Sequence, residues 1–158
     1  MGLIEDLAEG PIALDTSIFI YFIEEHPRYL PVVEPVFEAM DRGSLPAVTS
    51  AITLLETLVV PYRAGNSSLA DRYEALLRRS RGLRLMEIDL PLLRAGALLR
   101  ATIGCRTPDA LQLASALSAG CRCFLTNDRR VRGPEGIRIL QLEDYLPPQE
   151  PAPEKAMP

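Results

Sequence analysis

The sequence predicts an α/β fold in which a parallel sheet is covered by helices on both faces. Two observations carry that reading. Five short apolar segments, each bounded by turn-forming or charged residues, have the length of buried strands. Longer stretches with apolar residues at helical spacing separate them. Strands that alternate with helices pair in parallel, and their right-handed crossovers bring all carboxyl ends to one edge. Ligands of such sheets bind in the crevice outside that edge, where the strand order switches direction.

The elements follow in order. Residues 1–10 are an acidic N-terminal extension with Leu3, Ile4 and Leu7 as apolar anchors. Pro11-Ile12-Ala13-Leu14-Asp15 is the first strand, and Thr16 or Ser17 caps a helix from Ile18 to Glu25 that His26-Pro27 ends. A second helix starts near Pro31 and stops before Gly43. Leu45–Thr49 is the second strand; Thr49 or Ser50 caps a helix with Ile52, Leu55 and Val59 on one face, reaching Pro61-Tyr62. After Asn66-Ser67-Ser68 the spacing of Leu69, Tyr73, Leu76 and Leu77 predicts a helix over 69–79. Leu83–Ile88 alternates as a strand, and a helix over Leu90–Ile103 stops at Gly104. Thr107-Pro108-Asp109 opens a helix that Gly120 closes. Cys121–Thr126 and Ile137–Leu140 are the last two strands, and five prolines in residues 147–158 make a disordered or extended tail.

Composition closes off several classes. Acidic residues outnumber basic ones by 21 to 17, for a formal charge of −4, which argues against coating a nucleic acid or membrane by bulk charge. No apolar run approaches the ~20 residues that span a bilayer, and acids stand where a signal peptide carries basic residues, which assigns a cytoplasmic location. Cys105, Cys121 and Cys123 are an odd number and do not read as a disulfide framework. Cys-x-Cys in an apolar strand, with no further soft ligands, is no zinc site either. A single histidine, His26, followed by proline at a helix end, is a poor general base for a Ser-His-Asp hydrolase.

Four acids are placed together by this topology. Asp15 follows the first strand and Asp128 the fourth. Asp109 lies in the first turn of the helix leading into that fourth strand, so it reaches the same edge, where the helix dipole favours negative charge. Glu56 lies about two turns into the helix after the second strand among mostly apolar neighbours, which predicts a carboxylate off the open surface, buried and in need of a cation, arginine or metal. Each acid alone is also what a turn, a cap or an ion pair would use. Carboxylates converging on one edge repel unless divalent cations bind between them, and hard oxygen ligands suit Mg²⁺ or Mn²⁺. Arg106, Arg129, Arg130 and Arg132 flank these acids in sequence, a local basic collar suited to RNA phosphates or simply a solvated loop.

Leu14-Asp15-Thr16-Ser17, Thr53-Leu54-Leu55-Glu56, Thr107-Pro108-Asp109-Ala110-Leu111-Gln112-Leu113-Ala114 and Leu125-Thr126-Asn127-Asp128 stand in the order and spacing of a known family. On these motifs the chain resembles the PIN domains, and among them the VapC-like toxin ribonucleases of bacterial toxin–antitoxin pairs. The resemblance spans roughly Pro11 to Asp144, within a domain over 11–146, and implies a three-layer α/β/α domain with a parallel sheet of four to five strands. It implies a metal-dependent endoribonuclease using Mg²⁺ or Mn²⁺, a homodimer, and a small antitoxin partner. Carried over by position, Asp15, Glu56 and Asp109 would be the main metal-site carboxylates, with Asp128 completing the site. Thr16 and Thr126 would orient carboxylates or water, and Asn127 would contact phosphate. The N-terminal extension and the proline-rich tail depart from the toxin pattern. They leave room for an RNA-processing nuclease without an antitoxin, and a catalytically silent PIN-like binding module is a further alternative. A haloacid-dehalogenase-like phosphatase would carry a second Asp two residues after Asp15, where Ser17 stands.

Overall fold

The computed structural model describes residues 2–8 and 10–148. Its elements are α1 (Leu3–Leu7), β1 (Ile12–Leu14), α2 (Thr16–Ile23), α3 (Leu30–Asp41), β2 (Ala47–Ser50), α4 (Ile52–Arg63) and α5 (Ser67–Arg79), then β3 (Leu83–Met86), α6 (Leu90–Ile103), α7 (Thr107–Ser118), β4 (Cys123–Thr126), β5 (Arg138–Gln141) and a 3₁₀ turn over Leu142–Tyr145. The five strands form one parallel sheet in the order β3-β2-β1-β4-β5. Ile12 pairs with Ala47 on one side and Cys123 on the other, so β1 is central and the chain switches direction between β1 and β4.

Strand side chains alternate between two cores, as a pleated sheet requires. Ile12 and Leu14 of β1 and Cys123 and Leu125 of β4 face α1, α2, α3 and α5, together with Ile18, Phe19, Val33, Val36 and Met40. Ala13 and Phe124 face the opposite way, onto Leu92 and Leu99 of α6 and Leu111 and Leu113 of α7. These are the two outer layers of an α/β/α sandwich. Full burial of each such Leu, Ile or Phe is worth about 1.5–3 kcal/mol. No helix among the described residues is long and apolar enough to cross a membrane.

Element boundaries move where caps decide them. Asp15, not Thr16 or Ser17, caps α2, its carboxylate accepting from the Thr16 backbone N–H. Asn66 caps α5 two residues ahead of the expected start, accepting from Leu69 N–H at 3.1 Å. Strand β3 ends at Met86, because Asp89 turns the chain to cap α6. Gly104 ends α6 in a left-handed conformation, and a Cβ on left-handed Gly82 would collide with the Met40 carbonyl.

The expected anchors Leu3 and Leu7 are buried, on a helix α1 that the sequence did not predict, and the Asp6 carboxylate accepts from the Tyr145 hydroxyl at 2.6 Å. Helix α4 is inside out with respect to the expected apolar face. Leu55, Val59 and Tyr62 are 63%, 41% and 65% exposed, while Thr53, Thr57 and Pro61 are buried. Of the expected tail, Pro147 and Pro148 are described and residues 149–158 lie outside the described part.

Candidate active site

The site is assembled at the switch point. Asp15 leaves the carboxyl end of β1 with its N–H bonded to the Leu125 carbonyl, so its side chain stands between β1 and β4. Its Oδ1 accepts from Thr16 N–H at 2.9 Å and its Oδ2 from the Thr126 hydroxyl at 2.6 Å. Thr126 oxygen in turn accepts from Asp128 N–H at 3.0 Å, so one hydroxyl at the end of β4 ties two acids together. Glu56, on α4, accepts from the Thr16 hydroxyl at 2.8 Å. Asp109 lies in the first turn of α7 and is 7% exposed.

Asp15, Glu56, Asp109 and Asp128 line one cavity of about 560 Å³, together with Thr16, Ser17, Ile20, Tyr21, Arg106, Pro108, Asn127, Arg129 and Arg130. The sequence reading placed the four acids at one edge, and the fold brings them there. Ser17, in the sequence motif but given no role there, lines the cavity with a buried Oγ that has no partner among the described residues, and Tyr21, which no sequence motif includes, lines it too. No sequence signal short of the fold singles out Tyr21.

Charge is arranged unevenly across the cavity. Burial raises the Asp15 carboxyl above the ordinary aspartate range against its two hydrogen bonds, and the charges of Asp109 and Glu56 push it further up. Asp128 is held below that range, chiefly by Arg130 and also by Arg106. Arg106 bridges two acids, with Nε 3.0 Å from Asp109 Oδ2 and Nη2 2.7 Å from Asp128 Oδ2. Arg130 bonds both Asp128 oxygens at 3.0 Å through Nε and Nη2.

The flanking arginines are engaged as follows. Arg106, Arg129 and Arg130 line the cavity, and Arg106 and Arg130 pair with its acids. Arg129 pairs with Asp144 at 2.7 Å, and Arg132 is exposed and does not line the cavity. Both ends of the Asn127 amide are committed, Nδ2 donating to Tyr21 Oη at 3.1 Å and Oδ1 accepting from Glu143 N–H at 3.2 Å, which makes it a brace. Cys121 and Cys123 are buried free thiols, and burial pushes Cys121 up to about 11.

Among the described residues, no three or more His, Cys, Asp or Glu side chains are gathered closely enough to hold a metal ion as they stand. Arg106 engages Asp109 and Asp128, while hydroxyls engage Glu56 and Asp15. The donor chemistry still suits a hard cation. All four are carboxylates, hard oxygen donors of the kind that Mg²⁺ and Mn²⁺ prefer, and they line one cavity.

The PIN domain family model matches residues 12–135. This chain belongs to the PIN domain family. As a PIN domain it is similar in fold to a chain of VapBC2 from Rickettsia felis, solved bound to a promoter DNA fragment, with a TM-score of 0.63 at 16% identity over 83% of this chain and 98% of that one. It is also similar to a chain of DNA-bound VapBC from Salmonella typhimurium, with a TM-score of 0.59 at 24% identity over 84% and 98%. A third similar structure is VapC20 of Mycobacterium tuberculosis, a sarcin–ricin loop cleaving toxin, with a TM-score of 0.57 at 20% identity over 72% and 86%. No curated protein matches this PIN domain significantly in sequence.

Proposed function

We propose that this PIN domain is a metal-dependent endoribonuclease that hydrolyses RNA phosphodiester bonds, acting in the cytoplasm as the toxin of a toxin–antitoxin pair. The observation that carries the reading is the meeting of Asp15, Glu56, Asp109 and Asp128 in one cavity at the sheet's switch point, two of them held by threonine hydroxyls. Family membership supports it, since PIN domains as a class are ribonucleases. The toxin assignment is supported by similarity to chains of antitoxin complexes and to an RNA-cleaving toxin.

In this reading Asp15, Glu56 and Asp109 would hold Mg²⁺ or Mn²⁺, with Asp128 completing the set. The ion would supply activation of the attacking water and neutralisation of phosphate charge. Thr126 and Thr16 keep the Asp15 and Glu56 carboxylates aimed, so less reorganisation is needed during reaction. Arg106, Arg129 and Arg130 line the cavity and would exchange their acidic partners for substrate phosphate. The exposed Leu55, Val59 and Tyr62 stripe of α4 is the face on which a second copy would pack, giving a homodimer. One observation favours the silent-module reading, namely that Arg106 already bridges Asp109 and Asp128.

A mixed RNA pool incubated with Mn²⁺ separates these readings. Wild type should cleave it and Asp15→Asn should not; equal cleavage by both, or none by either under any divalent metal, removes the nuclease assignment. Growth arrest on expressing the lone gene, relieved by a small neighbouring gene, tests the toxin assignment separately.

A further inference from the structure

Behind the cavity, where an apolar core would serve packing as well, the fold buries a set of polar side chains. Thr49 and Ser50 end β2, Thr53 lies in the first turn of α4, and Gln112 lies on α7; all four are buried, Gln112 to 2% exposure. Buried polar groups are costly unless bonded, so such a set needs a reason.

The donors and acceptors fix its polarity. Ser50 N–H can only donate, and it points at Gln112 Oε1 from 3.0 Å. The amide orientation is thereby settled, and Gln112 Nε2 donates to Thr53 Oγ1 at 2.8 Å. Thr53 then accepts from Gln112 and has one proton to give, which goes to Thr49 at 2.7 Å; its Oγ1 also lies against the Thr16 hydroxyl oxygen at 3.3 Å. Thr49 donates to the Leu14 carbonyl at 2.8 Å, which leaves it an acceptor for Thr53. Thr16 spends its proton on Glu56 Oε1, so toward Thr53 it can only accept. The hydrogen bonds therefore run one way, from the Gln112 amide through Thr53 and Thr49 to the Leu14 carbonyl, and Thr53 Oγ1 packs against the Thr16 hydroxyl that holds the Glu56 carboxylate.

Gln112 also sits three residues after Asp109, so one face of α7 presents Asp109 to the cavity and Gln112 to the hydroxyls. Gln112 thus links the elements that carry Asp109 and Glu56 directly, and reaches the end of β1 next to Asp15 through Thr53 and Thr49. We infer that Gln112 is a positioning residue that sets the Glu56 carboxylate relative to Asp15 and Asp109 through Thr53 and Thr16. It touches neither substrate nor metal. The inference rests on the metal-nuclease reading for what Glu56 is positioned to bind.

The test is Mn²⁺ titration calorimetry on the whole chain, with a crystal structure of the Gln112→Met variant. Gln112→Met, close in volume, should weaken Mn²⁺ binding by about 10- to 100-fold, the range for residues that orient a metal ligand. Thr53→Val interrupts the line at its centre and should do the same, which covers a failure of either variant to fold. Their double variant should bind no more weakly than the weaker single. Ser115→Ala is the comparison for plain core damage, since Ser115 is buried on the same helix and bonds only its own Leu111 carbonyl; its Mn²⁺ affinity should stay at the wild-type value. In the Gln112→Met crystal, Glu56 should have left the Thr16 hydroxyl. Wild-type affinity in the Gln112 or Thr53 variant, multiplying losses in the double variant, an equal loss in Ser115→Ala, or a retained Glu56–Thr16 bond overturns the inference. If wild type takes up no Mn²⁺, the metal reading fails on its own, and the position of Glu56 in the variant crystal still decides whether Gln112 positions it.

Discussion

Asp15 and Asp128 share the Thr126 hydroxyl, yet their surroundings drive their protons in opposite directions. A carboxyl raised in the folded state binds its proton more tightly there than in the unfolded chain, so Asp15 favours folding as pH falls and opposes it at neutral pH. Asp15→Asn should therefore abolish cleavage and, in metal-free buffer at pH 7, raise stability by about 1 kcal/mol, seen as ~2–4 °C in a thermal melt. A melt unchanged or lowered would mean that burial and repulsion at Asp15 are already compensated. Asp128 has the reverse sign. Held low by Arg130 and Arg106, it adds stability that is present above the ordinary aspartate range and lost as pH falls through the lower folded value. The stability gap between wild type and Asp128→Asn should stay constant from pH 7 to about 4 and shrink below that, in urea titrations run across that interval. Asp15, Asp109 and Asp128 could be placed from strand ends and a helix start, whereas Glu56, two turns into its helix, could be read only as a carboxylate in need of a cation. That Arg106 spans two of the acids could not be read, because residues 106 and 128 meet only through the sheet.

Helix α4 shows at the element scale how an apolar pattern misleads. Periodicity reports that Leu55 and Val59 share a face, but not whether that face meets the core, a partner or water. The inner face is threonine because the ground behind Glu56 requires hydroxyls, and the apolar stripe is left outside. If that stripe packs against a second copy, Leu55→Glu should convert a dimer to a monomer by light scattering while leaving the far-UV circular dichroism unchanged. A monomeric wild type would sink the dimer reading. Helix α1 carries the complementary lesson. Leu3 and Leu7 were visible as anchors, but five residues hold no helix alone; burial against α3 and the Asp6–Tyr145 bond near the chain's other end hold this one.

For the whole molecule, the acidic excess becomes local. Setting Asp15, Glu56, Asp109 and Asp128 aside leaves the formal charges of the chain equal. A cation that binds the native cavity and not the unfolded chain stabilises by mass action, by about 2.7 kcal/mol at one hundred times its dissociation constant. Mn²⁺ should therefore raise the melting temperature of wild type by several degrees, and chelation should reverse it; Asp15→Asn should respond far less. Equal shifts in both would place the binding elsewhere.

The sequence by itself determined the layer architecture and the sheet edge at which Asp15, Asp109 and Asp128 meet. Those follow from strand–helix alternation and handed crossovers, which act through local patterning. Only the tertiary structure decided which groups oppose one another: Arg106 across Asp109 and Asp128, Thr126 beneath Asp15, and Gln112 behind Glu56. Hydrogen bonds and ion pairs depend on ångström-scale distances between residues far apart in the chain, and no spacing along the chain encodes those distances until the sheet has closed its register.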